Sequence, residues 1–275
     1  MALTLVLLLL PAPQISLPPM GGVLSASAPP DAAFRDMYNL QFDDAHRTIQ
    51  QWESAAPSDP LGPTADAAAY LFDEFHRLGV LQSELFVDDS EFKHRKKPPP
   101  DPALKARFEA ALTASDRLAD AELQTSPNDR DALLAKTLDL GLRADYLALV
   151  EKRDLASLGY VKSAGVMAQR LLAEHPDCYD AYLAVGAENY ILGLSSAPVR
   201  WMLRLYGAET DKEKGIKSLE LTATHGHYLL PYARLLLAVA ALRDKDRSKA
   251  RRILQELADQ FPENPLYGQE LARLQ

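Results

Sequence analysis

The sequence predicts an all-α protein built from stacked antiparallel helix pairs. Three observations carry this. Its apolar residues recur at helical period, its prolines fall at the edges of the periodic segments, and no stretch alternates as a strand would or carries an Asn-Gly or Asp-Gly hairpin turn. Proline costs about 3 kcal/mol inside a helix, so its placement marks where helices end.

The clearest helix is 248–261. Ala250, Ile253, Leu254, Leu257, Ala258 and Phe261 form one stripe, Arg251, Arg252, Glu256 and Asp259 take the other face, and Ser248 is the expected N-cap. The same design recurs in 103–124 through Leu104, Phe108, Ala111, Leu112, Leu118 and Ala119, and in 64–82 through Ala68, Leu71, Phe72, Phe75 and Leu78. Residues 231–242 are apolar almost all round, as an inner helix would be. The whole pattern amounts to about ten helices.

The chain of 275 residues has 19 prolines against 13 glycines. Pro11, Pro13, Pro18, Pro19, Pro29 and Pro30 crowd the first thirty positions, so this stretch reads as leader and linker. Pro57, Pro60 and Pro63 make a second break, and Pro98, Pro99, Pro100 and Pro102 a third, just after the basic run 93–97. Single prolines at 127, 176, 198, 231, 262 and 265 punctuate the remainder. The expected organisation is a signal peptide or disordered leader over 1–28 and one helical domain over 29–275, with a flexible Pro-rich, basic insertion near 88–102.

Composition excludes several classes. At 47% hydrophobic and 25% charged the chain is an ordinary globular protein, not a disordered one. A net charge of −8 argues against nucleic acid as partner. Residues 3–10 are apolar but too short for a membrane span, which takes about 20 residues. With small residues at 25–28 this run predicts export to the periplasm or beyond, although no Lys or Arg precedes it; otherwise the chain is cytoplasmic. The single cysteine, Cys178, excludes an internal disulfide.

A spacing recurs before four of the prolines. It reads Ala45-x3-Ile49-x2-Trp52-x4-Pro57, Ala164-x3-Ala168-x2-Leu171-x4-Pro176 and Ala250-x3-Leu254-x2-Leu257-x4-Pro262, with a degenerate copy in Ser115, Ala119, Glu122 and Pro127. A small residue lets two helices approach, larger apolar residues bury the seam, and proline ends the helix. A pair of this kind cannot bury its apolar face alone, so pairs stack. This frame resembles the second helix and terminal proline of the tetratricopeptide repeat. In the last unit Leu237, Ala238 and Ala241 occupy that family's Leu, Gly and Tyr positions, while Arg234 stands where its Trp would be. The family repeats about every 34 residues, so the copies here are irregular and widely spaced. Gly186, Tyr190–Pro198, Gly207, Gly215-Ile-x2-Leu219 and the closing Phe261-Pro-Glu-Asn-Pro265 resemble the C-terminal part of the Iml2 and tetratricopeptide-39 group and its bacterial relatives, with Ile216 in place of that group's Leu.

The resemblance implies a right-handed α-solenoid and a non-catalytic role, binding a peptide or protein in a concave groove. By helix position the expected groove residues are Tyr182, Asn189, Tyr232 and Arg234, with Arg200 and Arg204 as an anion clamp beside Trp201 and Tyr206. A scaffold subunit of an envelope assembly, joined through the convex face or the 83–102 insertion, is the alternative. A cryptic helical enzyme is the third reading, and nothing in the sequence supplies its chemistry. His225-Gly226-His227 has no third ligand at fixed spacing. His175, Asp177, Cys178 and Asp180 read as a turn in which Asp177 caps a helix and Cys178 is half-buried. Gly193-Leu-Ser195-Ser-Ala197 lacks the strand and second Gly of a nucleophile elbow. No cofactor or metal is expected, and no membrane span in the mature chain.

Overall fold

The structure, a computed structural model, describes residues 24, 29–80, 98–193 and 211–274. Among them lie eleven α-helices and no strand. These are α1 Pro29–Tyr38, α2 Phe42–Ala55, α3 Leu61–Leu78, α4 Pro102–Thr125, α5 Arg130–Asp145, α6 Asp154–Glu174, α7 Tyr182–Gly193, α8 Lys212–His225, α9 Leu230–Arg243, α10 Arg247–Gln260 and α11 Pro265–Arg273. A π-helical turn, Tyr146–Val150, extends α5, and a 3-10 turn, Tyr179–Ala181, leads into α7.

Acidic and amide side chains start most of the later helices. Asp101, Asp129, Asp211, Asp246 and Asn264 accept hydrogen bonds from backbone N–H groups of α4, α5, α8, α10 and α11. Asp246 thus caps α10, not Ser248, which lies inside its first turn. Proline sits at helix starts, where a missing N–H costs nothing: Pro102 and Pro265 open α4 and α11, and Pro231 is in the first turn of α9. The same tolerance corrects two expected boundaries. Pro29 and Pro30 belong to the first turn of α1, not to a linker, and Pro63 lies within the first turn of α3. That helix runs 61–78, not 64–82, because Gly79 leaves it at φ 67°. The insertion likewise ends before Pro102. Buried Glu74 binds Arg77 through both oxygens (2.6 and 2.8 Å) and accepts the Asp101 N–H at 3.0 Å, which ties the returning chain to α3.

Every helix packs on its neighbour in the chain, and α1, α3, α5 and α7 also touch in series. The recurrent spacing is the seam of this packing. Ala45, Ile49, Trp52, Ala164, Ala168, Leu171, Ala250, Leu254 and Leu257 are all buried, and so are Ser115 and Ala119 of the degenerate copy. A fifth copy lies on α8 in buried Gly215, Leu219 and Thr222, with His227 where proline stands elsewhere. Here only glycine fits: a Cβ on Gly215 would lie 2.6 Å from the Tyr190 backbone N and 3.0 Å from the Gly186 carbonyl oxygen.

Helix α1 meets the turns that precede α9 and α11. Phe34 of α1 stacks on Tyr228 at 4.6 Å, and the Tyr38 hydroxyl donates to the Tyr228 carbonyl at 2.9 Å. Asn264 donates to the Tyr38 carbonyl at 2.8 Å, and the Glu263 N–H donates to Asn39 at 3.3 Å. Helix α1 therefore spans from the turn before α9 to the turn before α11. One apolar core runs from Ala33 on α1 to Tyr267 on α11, and a smaller one joins α3, α4 and the π turn through Leu71, Phe75, Phe108, Leu112 and Tyr146.

Gly215→Ala should lower stability by about 1–3 kcal/mol, because α7 and α8 must move apart. Gly141→Ala, whose Cβ meets nothing within 4 Å, should raise it by about 0.5–1 kcal/mol as an interior helix position. Urea unfolding of both variants followed by circular dichroism checks the contrast.

Candidate functional site

Two regions concentrate polar and aromatic side chains. The first is a cleft where α1, α3, α9 and α11 meet. Its walls include Met37, Tyr38, Phe72, Tyr232, Leu266 and Tyr267, and its volume is about 20 Å³. That holds about one water and is far below the several hundred Å³ of a small-molecule site. Tyr232 organises it. Its ring meets Phe72 edge-on at 5.4 Å, and its hydroxyl donates to Asp145 at 3.4 Å. Burial pushes the Asp145 carboxyl up to about 7 even though that hydrogen bond opposes the shift. It also pushes the hydroxyls of Tyr38, Tyr232 and Tyr267 above the usual tyrosine range. At neutral pH the phenols are protonated, so the cleft offers an apolar wall with hydroxyl donors and no nucleophile.

The second region is a ladder of turns along one edge. Arg170 and His175 reach the carbonyls of Pro127 and Asn128, and Arg130 pairs with Asp177 at 3.5 Å. Thr222 donates to the Tyr179 carbonyl at 2.7 Å. Asp180 then takes three backbone N–H groups of the next turn, His227 at 2.9 Å, Tyr228 at 3.2 Å and Leu229 at 3.0 Å. Burial raises its carboxyl more than these three donors lower it. Gly226 admits the approach, since a Cβ there would lie 2.9 Å from Asp180 Oδ1. His227 Nε2 continues the ladder to Asp31 of α1 at 2.7 Å. The expected roles in this turn change accordingly. Asp177 is no N-cap but an exposed ion-pair partner, Cys178 is fully buried, and Asp180 is the residue that organises the turn. His225 packs against the Tyr179 ring at 4.9 Å. Among the described residues no three His, Cys, Asp or Glu side chains converge as metal ligands would.

Four of the expected groove residues are described, and they lie in different settings. Tyr182 lies at the turn edge, with its hydroxyl 3.3 Å from the Pro176 carbonyl. Asn189 has no exposed surface. It donates to the Val185 carbonyl at 3.0 Å and accepts the Asp211 N–H at 3.3 Å, so its role is to hold the start of α8 against α7. Tyr232 lines the cleft. Arg234, two residues on and so on another face, donates to the Ala223 carbonyl at 3.2 Å and lies 4.0 Å from Glu256. Arg200, Arg204, Trp201 and Tyr206, the basic run 93–97, Ser195 and the leader lie outside the described residues. Asp180 and Asp145 went unmarked as organising residues because lone carboxylates carry no spacing signal.

Asp180→Ala should lower stability by about 2–3 kcal/mol, since it strands three backbone N–H groups, that of Leu229 buried and those of His227 and Tyr228 partly so. Asp180→Asn, which keeps one acceptor oxygen, should lose less. Denaturant titration of the two variants against the parent chain measures the difference. No family model, curated protein or solved structure matches the chain.

Proposed function

We propose that the chain is a non-catalytic, tetratricopeptide-like interaction module, exported by its leader, that binds a peptide or protein partner. The observation that carries this reading is the return of one buried frame at equivalent places in α2, α6, α8 and α10, with a partial copy in α4. Repeated helix pairs of this kind present successive first helices along one face, and such faces serve as receptors. Helix α1 covers part of that face, so the partner's access lies around the rim of the Tyr232 cleft, where aromatic side chains of the kind that anchor partners are grouped. No helix among the described residues is long and apolar enough to cross a membrane.

The test is affinity capture from the source organism with the parent chain and the Tyr232→Ala and Arg234→Ala variants in parallel, each first shown to fold. A partner retained by the parent chain and reduced at least about tenfold with Tyr232→Ala, a loss of 1.4 kcal/mol or more, supports binding at the cleft. Undiminished recovery with both variants contradicts it.

The scaffold reading draws on a different observation. Leu155 and Val166 stand 86% and 57% exposed on α6, three turns apart on one side of it, where an assembly contact would cover them. If this face joins an assembly, Leu155→Glu with Val166→Glu abolishes chemical cross-linking to neighbouring subunits and leaves cleft binding intact.

A further inference from the structure

Between α3, α4 and α5 lies a cluster with no part in the cleft or the turn ladder. Thr64, Ser115 and Asp139 are 2%, 0% and 1% exposed. Thr64 Oγ1 has three oxygen neighbours: the Pro60 carbonyl at 3.0 Å, Ser115 Oγ at 2.8 Å and Asp139 Oδ1 at 3.1 Å. The Ser115 hydroxyl also bonds the Asp139 carboxyl. Asp139 Oδ2 is buried and has no hydrogen-bond partner among the described residues.

The two hydroxyls bring one proton each, and the Pro60 carbonyl already accepts the Thr64 N–H at 3.2 Å. The hydroxyls therefore serve Oδ1 and each other, and nothing among the described residues serves Oδ2. Burying an unpaired oxygen costs far less on a neutral acid than on an anion, so this orphan atom calls for a proton on the carboxyl. We propose that Thr64, Ser115 and Asp139 form a buried proton-binding site that couples the packing of α3, α4 and α5 to pH.

The electrostatic surroundings support it. Burial is the main cause that pushes the Asp139 carboxyl up to about 7, and Asp116 on α4 adds to it. Arg143, on the same helix as Asp139, favours the anion, but its guanidinium is held by Asp116 at 2.6 Å, and Lys136 also binds Asp116, at 2.8 Å. Helix α3 brings only the Thr64 hydroxyl and the Pro60 carbonyl. No charged group of α6 or α7 acts on Asp139 with comparable strength. The sign follows: the folded chain holds a proton that the unfolded chain releases above about pH 4. Stability therefore falls as pH rises from about 4 to about 7, and above that the contribution of this group is constant.

The test uses the full chain. Carbon-13 NMR of the Asp139 carboxyl should show a titration near pH 7, and the Asp139→Asn variant should remove one proton from the pH dependence of unfolding. That is about a tenfold smaller change in the unfolding constant per pH unit between roughly pH 5 and 7. Asp145→Asn serves as the control, since Asp145 also titrates in this range and must leave the Asp139 resonance titrating as before. A carboxyl already ionised at about pH 6, or equal slopes for the parent chain and a folded Asp139→Asn variant, overturns the proposal. If that variant does not fold, the resonance alone decides.

Discussion

The spacing between paired helices is set by one small side chain in each second helix. Ala45, Ser115, Ala164, Gly215 and Ala250 stand at equivalent places, and each is buried against the preceding helix or its neighbours. Helices packed at about 8–10 Å leave no room for a larger residue there. Residues four and seven positions on, both apolar in α2, α6 and α10, then fill the seam, and helices α1, α3, α5 and α7 touch in series across the neighbouring faces. Fixing this one distance in each pair fixes the register of the rest of the stack.

Closure at the ends follows from the same need to bury surface. Helix α1 has no described helix before it, and α11 has none after it. The two regions meet through Tyr38, Asn39, Glu263 and Asn264, with Phe34 stacked on Tyr228. Polar groups carried inside by this arrangement are satisfied by short-range devices: Asp180 on three backbone N–H groups, Asp145 under the Tyr232 hydroxyl, and Thr64 shared among three oxygens. The same arrangement leaves a narrow cleft beside Tyr232.

Much of the architecture was legible in the sequence because proline and period are local signals. Pro102, Pro231 and Pro265 mark helix starts and Pro57, Pro127, Pro176 and Pro262 the turns between them, while the stripes at 103–124 and 248–261 lie within one or two residues of α4 and α10. The α8 copy of the frame was hidden because His227 replaces its proline. The site was far less legible. Asn189 looks like a surface amide from sequence and proves to be a buried brace, and Tyr232 and Arg234 share a helix but not a face. Asp139, Asp145 and Asp180 acquire their roles from residues 24 to 87 positions away, a relation that no local pattern encodes.

The most direct test of closure through α1 is a distance between spin labels at exposed positions 35 and 263, introduced as Arg35→Cys and Glu263→Cys with Cys178→Ser, measured by pulsed electron resonance. A closed stack predicts a single narrow distribution within about two helix diameters, roughly 20–25 Å. A broad distribution centred beyond about 40 Å, the span of an open row of five helix pairs at about 10 Å each, would contradict it.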